Sequence, residues 1–285
     1  MGLISPLWAQ PTELKNPEFL EEYAQSRGFL LGRPVKPKLT RSGRLFFLRS
    51  PGDSRSQSLF EWKGGRSQLV LAPETLLRGQ DEKLSPEEKA RNERKRQLGT
   101  GLTDYILAPD QSQILLPLSG QLFLYRLTDK SSQKLPVQGS VLDPQWSPDG
   151  KRIAYIKGHD VYALDLATLR ETPVTRGGSL EVTHGIAEFV AQEEMRLLSG
   201  YCWSPDSRHI AFQEADHRGV EIWHISDPLH PEVAPVRQYY PRPGRRNVKS
   251  RVGIVEVGKS KVTWVRWDPS EEYLASLRWG PKGPL

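Results

Sequence analysis

Two adjacent carboxylates, Glu193 and Glu194, end the run Glu188-Phe189-Val190-Ala191-Gln192-Glu193-Glu194. Converging on one point, such a pair can accept several hydrogen bonds from an ammonium group and so capture a cation. On a short helix the same pair is ordinarily solvated surface, and by itself it decides nothing. A second charged stretch opens at Ser85-Pro86-Glu87-Glu88, a capping box with proline at the first helical position. It predicts a helix running through Arg91, Arg94 and Arg96. That helix has too few apolar residues to anchor a core, so it lies on something else. Its default reading is a solvated face with pairs such as Lys89 and Glu93. A third stretch, Arg242, Arg245, Arg246, Lys249 and Arg251, contains no acid and has the form of a phosphate-binding run.

Nucleophilic and metal chemistry find less. No Gly-x-Ser-x-Gly elbow occurs, although Ser179 and Ser199 lie near glycines. The six histidines, His159, His184, His209, His217, His224 and His230, are scattered without metal-ligand spacing, and each reads as a surface or packing residue. The one cysteine, Cys202, excludes an internal disulfide framework and a cysteine zinc cage, and reads as a buried, inert thiol. No cofactor is implied.

The elements that must position these residues come from the chain as a whole. Its 285 residues suffice for one large or two small domains. With 37% hydrophobic residues and recurring aromatics, the composition argues against disorder, and no apolar run is long enough for a membrane span. The net charge of +6 is modest and interleaved, which argues against nucleic acid as a partner. The short apolar piece within Met1–Gln10 is not a complete secretory signal. Compartment stays open, leaning to periplasmic or extracellular over cytoplasmic.

Internal repetition carries the fold. Trp146-Ser147-Pro148-Asp149-Gly150 returns as Trp203-Ser204-Pro205-Asp206-Ser207, and in degraded form as Trp267-Asp268-Pro269-Ser270. An earlier copy is Ala108-Pro109-Asp110-Gln111, and Thr40-Arg41-Ser42-Gly43 resembles one without its proline. The proline spacings are 39, 57 and 64 residues. In each copy an aromatic or apolar residue closes one strand, a tight turn follows, and a short apolar strand leads to an alternating one such as Gln121–Tyr125, Val161–Leu166 or Val220–Ile225. This grammar predicts an all-β chain, an incomplete β-propeller of about four to five blade-like units with short helical insertions. A sandwich would not need the recurring Trp-Ser-Pro-Asp heading. The expected layout is an N-terminal segment over 1–36 and helical insertions at 85–97 and 185–197, within one propeller region spanning 1–285. Because the last unit stops early, the chain reads as a fragment of a longer protein.

Three stretches together resemble one family. Glu188 to Met195, followed by Ser199-Gly200-Tyr201-Cys202-Trp203-Ser204-Pro205, is similar to the double-glutamate segment of the dipeptidyl peptidase IV family of serine exopeptidases. Glu93-Arg94-Lys95-Arg96, running on to Gly101-Leu102-Thr103-Asp104-Tyr105, resembles its arginine-bearing helix. Tyr239-Tyr240-Pro241-Arg242-Pro243-Gly244, then Asn247, resembles its Tyr-Pro-x-x-Gly-x-x-Asn segment, with Val248 where proline is common. The resemblance implies an eight-bladed propeller joined to a C-terminal α/β-hydrolase domain. It implies that Glu193 and Glu194 bind the N-terminal ammonium of a peptide. It also implies that an arginine binds the carbonyl of the second residue, with Arg96 the best match and Arg94 the next. A dipeptide is then released from a peptide with a free N-terminus, and the intact protein is a possible homodimer.

The hydrolase domain is absent from this sequence, so the chain alone is expected to be inactive. The basic run now reads as a connection between blade regions. The alternative is a free-standing propeller acting as a protein-interaction scaffold without catalysis.

Overall fold

The computed structural model describes residues 16–97, 99–268 and 270–280. The apolar piece of Met1–Gln10, Pro269 of the degraded repeat and the residues from Pro281 onward lie outside the described residues. Helix α1 (Pro17–Gln25) is capped by Asn16, whose side chain accepts the Phe19 amide, and begins with proline. The first sheet follows as β1 (Val35–Leu39), β2 (Leu45–Arg49), β3 (Ser56–Lys63) and β4 (Arg66–Leu71), an antiparallel meander. Helices α2 (Pro73–Leu77) and α3 (Pro86–Arg94) come next, then β5 (Thr100–Gly101), which pairs in parallel with β3. The second sheet is β6 (Ile106–Leu107), β7 (Gln113–Leu118), β8 (Gln121–Arg126) and β9 (Ser132–Lys134). The third is β10 (Val141–Trp146), β11 (Arg152–Lys157), β12 (Asp160–Asp165) and β13 (Glu171–Pro173).

The fourth sheet is interrupted twice. It begins with β14 (Val182–His184), leaves for α4 (Phe189–Glu194), and returns as β15 (Tyr201–Trp203). Both strands pair with β16 (His209–Asp216). The chain then leaves again as the hairpin β17 (Ile222–Ile225) and β18 (Val236–Tyr239) before β19 (Lys249–Glu256) and β20 (Val262–Trp264) complete the sheet. The stretch Val220–Ile225, expected as a blade strand, therefore is not one. The strand beside β16 is β19, paired over eight residues from His209 with Glu256 to Asp216 with Lys249.

These sheets are blades of a β-propeller, and their cores lie between them. Strand β7 reads Ile114-Leu115-Leu116 without alternation because both its faces are covered. Ile114 and Leu116 pack with Phe46, Leu48 and Leu59 of the first blade, while Leu115 packs with Trp146, Ile153 and Tyr155 of the third. In β11, Ala154 and Ile156 face Tyr201, Trp203 and Phe212 of the fourth. Each large side chain so buried contributes about 1.5–3 kcal/mol, so side-chain layers, not strand edges, join the blades.

The repeated heading folds as one turn. Ser147 Oγ donates to Asp149 Oδ1 at 2.6 Å and accepts the Arg152 amide at 2.9 Å. Ser204 does the same with Asp206 at 2.5 Å and the His209 amide at 2.8 Å. The turn needs a left-handed residue, and Gly43, Gln111, Gly150 and Ser207 supply it at φ between 61° and 80°. The degraded copy has an aspartate turn, with the Ser270 amide 2.9 Å from Asp268 Oδ1.

Candidate functional site

Helix α3 starts as its sequence dictates. Ser85 Oγ accepts the Glu88 amide, and Glu88 returns a carboxylate to the Ser85 amide. It is not merely a solvated face. Glu88 Oε1 accepts the Gly120 amide at 2.7 Å, and Arg91 reaches Asp143 Oδ1 at 2.5 Å with both side chains only 14% exposed. Among the described residues no ion pair joins Lys89 to Glu93; the charges serve contacts with the second and third blades instead. Arg91 and Arg94 occupy the last turn, where positive charge complements the helix dipole.

Helix α4 begins at Glu188, whose carboxylate accepts the Val190 and Ala191 amides at 2.7 and 2.6 Å. Glu188 is 3% exposed, and burial raises its carboxyl above the ordinary range against those two amides and Arg94. Gln192, one turn on, is also buried, and its amide nitrogen donates to the Ala187 carbonyl. The approach to α4 is tight at Gly200, where a Cβ would stand 2.7 Å from the Gly185 carbonyl and the Ala187 amide nitrogen. Glu188 and Gln192 thus form the inner face of α4, and Glu193 and Glu194 are exposed. Phe189 and Glu193, four residues apart, share a face.

That face meets Arg94. The guanidinium lies 5.4 Å from the Phe189 ring centroid, 3.4 Å from Gln192 Oε1 and 3.4 Å from Gln238 Oε1. Burial draws the Arg94 guanidinium below its ordinary range, opposed by the nearby Glu193 and Glu93 carboxylates. Arg96 lies beyond the helix, exposed and with left-handed backbone at φ 49°. The structure thus brings Arg94 to the double-glutamate helix and does not bring Arg96 there. The third family stretch arrives by its ring: Tyr240 packs on Phe189 with centroids 5.3 Å apart, and Gln238, just before that stretch, reaches Arg94. All three stretches singled out in the sequence therefore meet at one place. Glu188, Gln192 and Gln238 were not singled out individually; only the helix-capping position of Glu188 carried a signal.

Three arginines of the basic run, Arg242, Arg245 and Arg251, are already paired with acids. Arg242 makes a bidentate pair with Glu221 at 2.6 and 2.9 Å, and Arg251 another with Glu214 at 2.6 and 3.1 Å. A cavity of about 430 Å³ lies on another side of α3, lined by Lys36, Arg91, Lys95, Asp104 and Asp143, and does not include the glutamate pair. Among the described residues no group of three or more His, Cys, Asp or Glu side chains is arranged to hold a metal ion. Among the same residues no helix is long and apolar enough to cross a membrane.

Successive four-stranded antiparallel blades, with two helices inserted so that Arg94 meets the helix bearing the glutamate pair, define a β-propeller region. The chain belongs to the dipeptidyl peptidase IV family: the pattern described as the dipeptidyl peptidase IV (DPP IV) N-terminal region matches residues 106–285. Dipeptidyl peptidase 8 of Mus musculus is 25% identical, over 90% of this chain and 34% of that protein. A probable dipeptidyl peptidase 4 of Emericella nidulans is 25% identical over 50% of this chain and 19% of that protein. The crystal structure of Porphyromonas gingivalis dipeptidyl peptidase 4 superposes with a TM-score of 0.61 at 19% identity, covering 90% of this chain and 35% of that one. The chain spans between 19% and 34% of the length of the curated relatives just named.

Proposed function

We propose that this chain is the substrate-binding propeller portion of a serine-type dipeptidyl peptidase, holding the amino end of a peptide while a hydrolase domain cleaves it. In this reading Glu193 and Glu194 receive the terminal ammonium and an arginine receives the carbonyl of the second residue. Arg94 takes that arginine role here, ahead of Arg96. The observation that carries the reading is the contact of Arg94 with the helix bearing the glutamate pair, through Phe189 and Gln192.

The chemistry is that of an end-measuring clamp. Two exposed carboxylates accept charge-assisted hydrogen bonds from an ammonium, which an acylated amine cannot supply. Arg94 keeps its charge despite partial burial, because a guanidinium does not deprotonate in proteins. Two extended residues span at most about 7 Å, so anchoring the ammonium and the second carbonyl fixes which bond lies beyond them. Binding energy from the amino end then orients the bond to be cut. Cleavage itself belongs to groups this sequence does not carry, and the isolated chain is expected to bind without hydrolysing. The layout that goes with this is a single propeller region over 1–285, with the helix insertions at 85–97 and 185–197 supplying the clamp.

The test is titration of the chain with alanyl-alanine amide and its N-acetyl form. The free amine should bind and the acetylated one should not. Glu193→Gln and Glu194→Gln should each weaken binding by about one to two orders of magnitude. Equal affinity for both peptides would overturn the reading. A second reading, an interaction scaffold, draws on the exposed apolar side chains of the β17–β18 hairpin, Trp223, Ile225 and Val236. It expects no response to acetylation.

A further inference from the structure

The hairpin β17–β18 leaves the fourth blade and touches both inserted helices, which a mere surface excursion would not do. Its root is fixed by Tyr239, packed against Ala215, Val220 and Val248. On β18 the side chains alternate, so Gln238 and Tyr240 share the face opposite Tyr239. Tyr240 is sandwiched between Trp223 at 5.1 Å and Phe189 at 5.3 Å, which docks the hairpin onto α4. Gln238 then faces Arg94. Its amide is oriented by its own nitrogen, which donates to the Tyr239 carbonyl at 2.9 Å, leaving Oε1 aimed at the guanidinium. The contacts of Arg94 with Phe189 and Gln238, and of Phe189 with Tyr240, join α3, α4 and the hairpin.

The chemistry of the acceptors matters. Both side-chain oxygens bonded to Arg94 are neutral amides, from Gln192 and Gln238. Among the described residues no carboxylate lies within ion-pair distance of Arg94. Neutral acceptors hold a guanidinium in place without cancelling its charge, whereas a carboxylate there would form a bidentate pair and compete with a ligand. A guanidinium has five N–H donors, and these two bonds leave donors for a ligand carbonyl.

We propose that Gln238 is a positioning residue for Arg94: from the inserted hairpin it holds the guanidinium toward the glutamate helix with its charge available to a peptide carbonyl. This rests on the reading of Glu193, Glu194 and Arg94 as a peptide amino-end clamp. It gives the hairpin a part in ligand recognition as well as in the outline of the blade.

Two measurements test it on the full chain. The first is hydrogen exchange at the Arg94 Nη2–H, the group that donates to Gln238, followed by nitrogen-resolved NMR without any peptide. Gln238→Met, which keeps the length and removes the acceptor, should speed exchange about fivefold or more. Gln238→Glu should slow it by forming an ion pair. The second is affinity for alanyl-alanine amide. Both variants should weaken it by about three- to tenfold, the net worth of one ordinary hydrogen bond. The loss should vanish when Arg94→Met is already present. Equal losses with and without Arg94, or exchange indifferent to both variants, would overturn the positioning role. If the unaltered chain does not bind the peptide while Arg94 exchange still responds to Gln238, the clamp reading falls and the physical link between the two residues stands. If the peptide binds and Arg94 is indifferent, only the link falls. The opposite directions expected for Met and Glu separate positioning from a general loss of fold.

Discussion

The hydroxyl of Tyr201 lies 2.5 Å from the carbonyl oxygen of Asp143, across the junction between the third and fourth blades, and 3.0 Å from that of Ala154. Asp143 sits in a bulge of β10 with a left-handed backbone at φ 51°, which turns its carbonyl out of the strand ladder. Tyr105 repeats the arrangement two junctions earlier, between the first and second blades. It lies 2.7 Å from the carbonyl of Lys36, also at φ 51° in the bulge of β1, and 2.9 Å from that of Phe46. In both places a tyrosine entering one blade satisfies a carbonyl that the preceding blade's bulge leaves without a strand partner. Tyr201→Phe removes the donor and leaves buried acceptors, which should cost about 1–3 kcal/mol of stability by urea unfolding. Tyr105→Phe should cost a similar amount. A loss near zero in both would mean the bulges are satisfied without the phenols.

Much of this was legible because the signals are local. The Ser-Pro-Asp turn closes on itself within six residues, Ser147 to Arg152, so sequence alone finds the blades. The capping box at Ser85 is equally local. The strand Ile222–Ile225 was misread because its alternation is the same in a hairpin as in a blade. Only the pairing of β16 with β19, across an intervening hairpin, distinguishes the two. The resemblance put Arg96 ahead of Arg94 for a related reason. The helix could run on by propensity, but it ends at Arg94 and the chain turns left-handed at Arg96. Glu188 drew no reading of its own in the sequence, yet its amide contacts make it the cap of the helix that carries the pair.

Placement separates the two arginines experimentally. Arg94→Met should weaken alanyl-alanine amide by about tenfold or more, since it removes a charged donor from a partly dry site. Arg96→Met, altering an exposed side chain past the helix end, should leave affinity within about twofold. Isothermal titration of the two variants side by side decides between them, and a larger loss at Arg96 would reverse the assignment.

Cys202 should behave as an inert thiol. Burial raises its pKa to about 11, and the Trp279 indole donates to its carbonyl at 3.2 Å, holding a later segment over β15. At pH 8 only about one thiol in a thousand would be ionised, against roughly a quarter for an unperturbed cysteine. Reaction with a disulfide reagent at that pH should therefore be about two orders of magnitude slower than for free cysteine. A rate within tenfold of the free thiol would show that the strand opens readily.

His184 makes the junction of the third and fourth blades sensitive to pH. Its Nδ1 lies 2.7 Å from Asp160 Oδ1 on β12, and its Nε2 lies 3.2 Å from Glu214 Oε2 on β16. Asp160 also accepts Thr175 Oγ1 and the Gly178 amide, Glu214 is paired with Arg251, and the Phe212 ring packs edge-on against the imidazole. Burial opposes protonation, but the Asp160 and Glu214 carboxylates outweigh it and raise the His184 pKa above the ordinary value. Burial likewise opposes ionisation of Asp160, whose carboxyl is nevertheless held low by bonds from His184, Thr175 and Gly178. A raised histidine pKa stabilises the fold fully below about pH 6.5, its unfolded value, and that contribution is lost as pH rises through the folded value. A lowered aspartate pKa stabilises above about pH 3.9 and is lost as pH falls through its folded value. The latch is therefore strongest in mildly acidic solution, between about pH 4 and 6.5. His184→Gln should destabilise the chain more at pH 6 than at pH 8.5, and the thermal midpoints of the two proteins should converge as pH rises. A destabilisation that is constant across that range, or that grows with pH, would mean that His184 stays neutral and that its two carboxylate contacts carry no proton-linked stability.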